Sequence, residues 1–493
     1  MLGLAFDEVP MVDAKDSDEV VSSAVAPSAK PAQTASALLA AIVQQPRFDL
    51  VAYRRALHLA EDAIHVDQLT PHLCEKIRIP SKILTDEQVK NDYLTMVENV
   101  LVFLNEVFNQ ALDRQLAPNT ESQLLLSVAT LLGDDSSRWS TSEIQRLCQE
   151  LLGLIQGQRT TRQLVAQHLS AILEHHIKPC FAHHPNIDKS ELKRIAKPVD
   201  AKEQVATAKF YEEQKWKSEH PECPFVFSWC IYQVKQPELK PLQNLVVPTL
   251  LTLLDDFDPK YKVLGVELTR HVIIDNTAPS EVRATGLGDL FFNAFITCLS
   301  YQSDPDLLEK ASLAILDLSS VIEVKGTEAL FVRYEQIADV FTRGLLLSVG
   351  GKVSVIEIYM ATIPLLVERL GIVGVSHLKQ LLMPCCEILA AQYIDKPTKI
   401  LSAKAITSII NTYWPRMDTY CGSVLSAIAS SWKYTDPLDD DVKLLLVDLC
   451  QALTRSSGPE FKNDLNFLLG IDQELYKPLV FPCLAIHPQP YNT

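Results

Sequence analysis

The 493 residues of this chain exceed what one hydrophobic core usually organises, leaving two to four domains or one elongated array. Glycine, at 16 residues, is under half the roughly 7% of an average protein, while hydrophobic residues reach 47%, so phosphate-cradling glycine loops are scarce. Lys plus Arg number 45 against 61 Asp plus Glu, and the resulting charge of −16 repels phosphate backbones and anionic lipid; no direct nucleic-acid or membrane partner is expected.

The first residues, MLGLAFDEVPMVDAKDSDEVV, carry acids where a secretory signal has a basic region, and no apolar core follows. The expectation is a chain without a secretory address. Its 11 cysteines are odd in number and scattered, with no C-x-x-C array, which reads as a reducing, intracellular compartment. Residues 1–35, rich in Ala, Ser, Pro and Asp without a sustained period, read as a disordered acidic tail.

From Ala37 onward the apolar period is helical almost throughout. Within an N-terminal helical region, residues 36–180, Asn91 reads as the N-cap of a helix with Leu94, Val97, Leu101, Leu104 and Phe108 along one face. Residues 181–224 mix both charges and have few apolar positions after Ile195, as in a charged linker or exposed helix. A nearly balanced run of Lys and Glu around Tyr211 and Trp216 fits a solvated or partner-docking segment better than a nucleic-acid groove.

Residues 225–480 show a recurring unit, with residues 481–493 as a closing tail. Val247, Leu250, Leu251 and Leu254 end at the acidic corner Asp255-Asp256-Phe257-Asp258-Pro259, where Asp258 can cap and Pro259 can open the next helix. Tyr261, Leu264, Leu268 and Val272 form its apolar face, and Gly265 admits a close neighbour. Further leading helices near Leu290–Leu299, Ile337–Leu347, Leu378–Ala390 and Tyr420–Trp432 recur every forty to forty-seven residues or so, the period of HEAT and armadillo arrays. The expected fold is an all-α, HEAT/armadillo-like helical-repeat solenoid. Its most apolar run, Val353–Val367, has fifteen residues including Glu357 and falls short of a membrane span.

Candidate chemistry is thin. EHHIKPCFAHHP places His175, His176, Cys180, His183 and His184 together, with His220 and Cys223 further on. These are zinc-ligand types, but Lys178-Pro179 interrupts the helix and the spacing matches neither a zinc finger nor H-E-x-x-H. A His-rich helix end and solvated loop is expected, with no metal and no cofactor. Gly286-Leu287-Gly288-Asp289 lacks the third glycine of a dinucleotide loop, since Phe291 stands there, and reads as a turn with Asp289 as an N-cap. Gly350-Gly351-Lys352 has Leu346 and Val353 where a phosphate loop needs Gly and Ser or Thr, and reads as a helix-ending turn. Cys385-Cys386 in an apolar helix reads as core. Asp439-Asp440-Asp441 reads as a cap and solvated turn. No catalytic residue is expected.

The stretch from Val246 to Ile273, the run Thr285–Tyr301, the FSWCIYQV segment around Trp229, and Tyr413-Trp414-Pro415-Arg416 followed by Trp432 together resemble the family of Tel-two-interacting protein two, the smallest subunit of the TTT co-chaperone complex. The resemblance covers Phe225 to Trp432. It implies a non-catalytic helical scaffold that assembles with the two other TTT subunits and works with the ninety-kilodalton heat-shock chaperone. Implied clients are the phosphatidylinositol-kinase-like kinases, which link TOR signalling, the DNA damage response and telomere maintenance, in cytoplasm and nucleus. Where the family has an aliphatic residue after Trp-Pro-Arg, this chain has Met417. Asp255, Asp256, Gly286, Gly288 and Asp289 are expected to shape hairpin corners, and Trp229, Trp414, Arg416 and Trp432 to pack or dock. The competing readings are a HEAT-repeat adaptor of another complex, such as a transport receptor or phosphatase scaffold, and a metal-dependent enzyme using the His-rich segment.

Overall fold

The structure, a computed structural model, describes residues 48–58, 66–111, 115–134, 136–181, 215–301, 304–436 and 439–486. Among the described residues every regular element is helical and none is a strand. The expected tails, residues 1–35 and most of 481–493, and the middle of the charged segment lie outside them.

The N-terminal helices are α1 (Leu50–His58), α2 (Val66–Lys76), α3 (Glu87–Gln110), α4 (Pro118–Leu132), α5 (Ser142–Gln156) and α6 (Thr161–Ile172). A π turn, Leu173–Ile177, joins α6 to α7 (Lys178–Phe181), and α8 (Lys215–Ser218) leads into α9 (Cys223–Gln233). Then come α10 (Gln243–Asp255), α11 (Pro259–Thr269) and the short α12 (Pro279–Thr285). Five hairpins follow: α13 (Leu287–Leu299) with α14 (Pro305–Ile322), α15 (Glu328–Ser348) with α16 (Val353–Leu370), α17 (Leu378–Ala390) with α18 (Lys396–Tyr413), α19 (Cys421–Tyr434) with α20 (Asp440–Ser456), and α21 (Phe461–Ile471) with α22 (Gln473–Leu484).

These helices stand in two rows. In one, each of α2, α4, α9, α11, α14, α16, α18, α20 and α22 packs on the next. In the other, α10, α13, α15, α17 and α19 do the same, while α1, α3 and α5 pack one on the next on the N-terminal side. The core lies between the rows because each helix turns one apolar stripe inward: Val97, Leu101, Leu104 and Phe108 of α3 are all buried, as are Phe291, Phe295, Cys298 and Leu299 of α13. This two-row stack of helical hairpins is the all-α repeat architecture expected from the period.

Several local expectations are corrected. The long α3 begins at Glu87, four residues before Asn91, because Asp86 accepts from the amides of Gln88 and Val89 at 3.0 and 3.2 Å and caps it first. Helix α13 starts at Leu287, so Asp289 sits in its first turn rather than capping it. The Lys178-Pro179 step does not end the helix: the π turn re-registers the ladder just before the proline, whose missing N–H is then accommodated.

The described parts of the charged segment join the stack. Phe181 and Trp216 stack with ring centres 5.2 Å apart, and Trp216 meets Tyr261 edge-on at 4.7 Å. Trp216 is thus buried rather than solvated. Helix α9 packs on α4 and α6 on one side and on α11 on the other, so packing passes from the N-terminal helices to the C-terminal hairpins.

The apolar run is also longer than fifteen residues. Through the turn Gly371–His377 it continues from α16 into α17, and Val353–Ala390 is long and apolar enough, by length and composition alone, to cross a membrane. Here its buried positions face α14, α15, α18 and α19, as in a core helix pair.

Candidate functional site

The acidic corner is built from backbone needs. Asp258 accepts from the Lys260 amide at 3.1 Å and Pro259 opens α11. Asp256 folds inward, accepts from the Asp258 amide at 2.8 Å, and its other oxygen lies 2.5 Å from Lys217 Nζ on α8. That ammonium also sits 4.1 Å from the ring centre of Phe257, the exposed tip of the corner. Lys262 is buried beneath, donating to the Leu254 carbonyl at 2.5 Å and lying 4.6 Å from the Tyr301 ring. The corner is therefore a cationic joint between α8, α10 and α11. Asp255 lies half-buried at the end of α10.

The glycine corner connects α12 to α13. Gly286 has φ +69°, the left-handed region, and both ends α12 and begins α13. A Cβ on Gly288 would stand 2.5 Å from Ile322 Cγ1 and 3.2 Å from Val282, so only hydrogen fits. Asp289 pairs with Arg333 of α15, whose Nε donates to Glu323 at 2.8 Å and whose guanidinium covers the Phe292 ring at 4.9 Å.

The aromatic candidates separate. Trp229 is half-buried on α9 against the core. Trp432 is buried. Trp414 is 36% exposed at the head of the 3-10 turn Trp414–Tyr420, and Arg416 is exposed beside it, while Met417 is buried between them and α19. An apolar surface that the periodicity did not reveal lies on the last helices: Phe467 and Ile471, one turn apart on α21, are 74% and 62% exposed, and Leu444 and Phe481 are exposed on α20 and α22. The available signal was that these residues fall off the buried stripe of their helices.

The His- and Cys-rich residues are gathered in space. Cys223 Sγ lies 3.2 Å from Cys180 Sγ and 3.7 Å from His176 Nε2. The carboxylate of Glu222, which the sequence pattern did not single out, comes within 4.8 Å of the donor atoms of both His176 and Cys223. His220 Nδ1 is 3.2 Å from Glu222 Oε1. Burial first, then His220 and Arg78, hold the His176 imidazole down to about 4, so it is neutral near pH 7. The hydrogen bond with Cys180, then burial, push the Cys223 thiol up. The cluster borders a cleft of about 620 Å³ whose far wall includes His72, Glu75 and Arg78. His175 is exposed, and His183 and His184 lie outside the described residues. The signal for the grouping is the pair of short spacings, three residues between His176 and Cys180 and two between His220 and Cys223.

Elsewhere, Cys385 and Cys386 are buried, and burial pushes the Cys386 thiol up to about 12. Gly350 has φ +79° and Gly351 donates to the Ser348 carbonyl at 2.8 Å, a turn between α15 and α16.

A family model described as the Tti2 family matches residues 124–395, more than half of the chain. The match starts well before Phe225 and stops before Trp414. TELO2-interacting protein 2 of Mus musculus is 26% identical over 225 residues, 44% of this chain and 42% of its own length. The protein of the same name from Homo sapiens is 26% identical over 224 residues, with the same shares. The aligned part thus spans under half the length of these curated relatives. A crystal structure of importin beta aligns over 91% of this chain and 70% of its own, with TM-score 0.36 and 13% identity.

Proposed function

The chain belongs to the Tti2 family, and from that premise we propose that it is a non-catalytic scaffold subunit of a TTT-type co-chaperone complex. Its partners in this reading are TELO2, for which the curated relatives are named, the third TTT subunit, and the ninety-kilodalton heat-shock chaperone. Its clients are phosphatidylinositol-kinase-like kinases, in cytoplasm and nucleus.

The observation that carries the reading is the outer face of the last hairpin. Phe467 and Ile471 project from α21, and Leu444 on α20 and Phe481 on α22 are exposed as well. Exposed apolar side chains of this size are what a protein-contact surface would use. Its two rows supply a long surface, and binding acts by mass action: a client held near a chaperone spends less time exposed to aggregation. The corner residues Asp255, Asp256, Gly286, Gly288 and Asp289 would hold that surface in shape, and Trp414 and Arg416 would dock.

Affinity purification of the full chain followed by mass spectrometry tests the reading. TELO2 and the third subunit should be recovered together, and removal of the chain should lower several kinases of the class at once. Recovery of a small GTPase or phosphatase subunit in their place, or kinase levels unchanged after complete loss, would refute it.

A further inference from the structure

We propose that the seam between α7 and α9 is a zinc site, in which His176 Nε2, Cys180 Sγ, Cys223 Sγ and the Glu222 carboxylate hold one Zn²⁺. The donor set decides the metal. Two thiols and an imidazole are too soft for magnesium or calcium, and with one carboxylate they form the mixed four-ligand shell that zinc accepts.

His176 Nε2, the Glu222 carboxylate and Cys223 Sγ lie within 4.8 Å of one another, and Cys180 Sγ, outside that group but 3.2 Å from Cys223 Sγ, would turn in to complete the shell. Zinc–sulfur bonds of about 2.3 Å and zinc–nitrogen bonds of about 2.0 Å, set tetrahedrally, place neighbouring donor atoms on the order of 3.5 Å apart. The sulfurs stand 3.2 Å apart and the His176 nitrogen is 3.7 Å from Cys223. Local structure explains why they converge. His176 and Cys180 lie four apart, so the helix through the π turn offers both on one side. Glu222 and Cys223 stand where the chain enters α9, which packs against that turn.

The surroundings fit as well. Cys223 is fully buried and the Glu222 side chain is 12% exposed, whereas His220 is 45% exposed at the cleft, which provides an access route. His220 holds one Glu222 oxygen through Nδ1, the kind of outer hydrogen bond that orients a ligating carboxylate. On binding, each thiol gives its proton to solvent and its sulfur lone pair to zinc, so two protons leave per ion and no electron is transferred. The ion would clamp α7 to α9, making metal affinity part of folding free energy. This inference is independent of the scaffold reading.

A disulfide is the other chemistry that two facing thiols offer, and the experiment separates the two. The full chain is purified under reducing conditions, loaded with zinc, freed of excess and assayed by plasma mass spectrometry. One zinc per chain is expected, and none with Cys180→Ser and Cys223→Ser together. Cobalt(II) titration of the zinc-free chain gives a second readout: the thiolate-to-cobalt absorption should fall by half in each single serine variant, which needs only one thiol lost from a folded chain. Cys450→Ser with Cys483→Ser, removing a thiol pair elsewhere in the stack, should leave both readouts unchanged, and circular dichroism establishes helicity for every variant. Absence of stoichiometric zinc in the helical wild type, a cobalt band insensitive to Cys180 and Cys223, or a Cys180–Cys223 disulfide mapped in chain alkylated at lysis would overturn the site.

Discussion

The indole Nε1 of Trp432 donates to the Leu475 carbonyl at 2.9 Å, tying α19 to the last hairpin. A residue with the composition of a docking hot spot is therefore a strut. Trp432→Ala should cost about 3–5 kcal/mol, and Trp432→Phe, which keeps a ring and loses the donor, about 1 kcal/mol. Denaturant unfolding measures both, and an unchanged midpoint for Trp432→Ala would remove the strut role.

Trp414 and Arg416 should behave differently, because both face outward at the turn after α18. Arg416→Ala should shift stability by no more than about 1 kcal/mol, and Trp414→Ala, which removes a ring only 36% exposed, by more, while both reduce recovery of TELO2. If partner recovery falls only in step with the melting temperature, these residues maintain the fold and do not dock.

The glycine corner distinguishes two kinds of constraint. Gly288→Ala should lose about 1–3 kcal/mol by forcing Ile322 and Val282 apart. Gly286→Ala should lose about 1–2 kcal/mol through its left-handed backbone, although its Cβ would meet nothing. Gly422→Ala, in α19 with open space around it, is the control and should not destabilise.

The Asp256–Lys217 pair joins α8 to the acidic corner with the carboxylate fully buried. Asp256→Ala should cost about 3–5 kcal/mol because an ammonium is left without its counter-charge. Adding Lys217→Met should recover part of that loss. A double variant that loses the sum of the two single losses would mean that the pair carries no coupling.

An acid-side dependence follows from Glu121 on α4. Its Oε2 lies 2.6 Å from His168 Nε2 on α6, and Arg159 pairs with the same carboxylate. Burial pushes this carboxyl up, but the bonds from Arg159 and His168 outweigh it and hold the group below its usual range. A folded value below the unfolded one stabilises the chain above the unfolded value of about 4.3, and that stabilisation disappears as pH falls through the folded value. The stability difference between wild type and Glu121→Gln should therefore shrink between pH 7 and pH 3 or so, as seen in urea midpoints. A difference constant across that range would exclude the linkage.

Much of the stack was legible in the sequence because stacked amphipathic helices write their packing into a local period. Val247, Leu250 and Leu254, then Tyr261 and Leu268, mark two helices and the corner between them. What escaped depends on distant or competing groups. Asn91 looks like a cap only if Asp86, which reaches two amides, is overlooked. Trp216 looks solvated among lysines, yet Phe181 and Tyr261, far away in the chain, enclose it. Glu222 has no pattern of its own, and only the fold brings it beside His176. Asp289 finds its partner in Arg333, two helices on.

The row from α2 to α22 has one further consequence. Each helix touches chiefly its nearest neighbours, so a small rotation at one junction is handed on and summed along the row. A stack contacting in this way should be stiffer across its rows than along them, which would let it follow a bound surface that changes curvature without breaking any single helix contact.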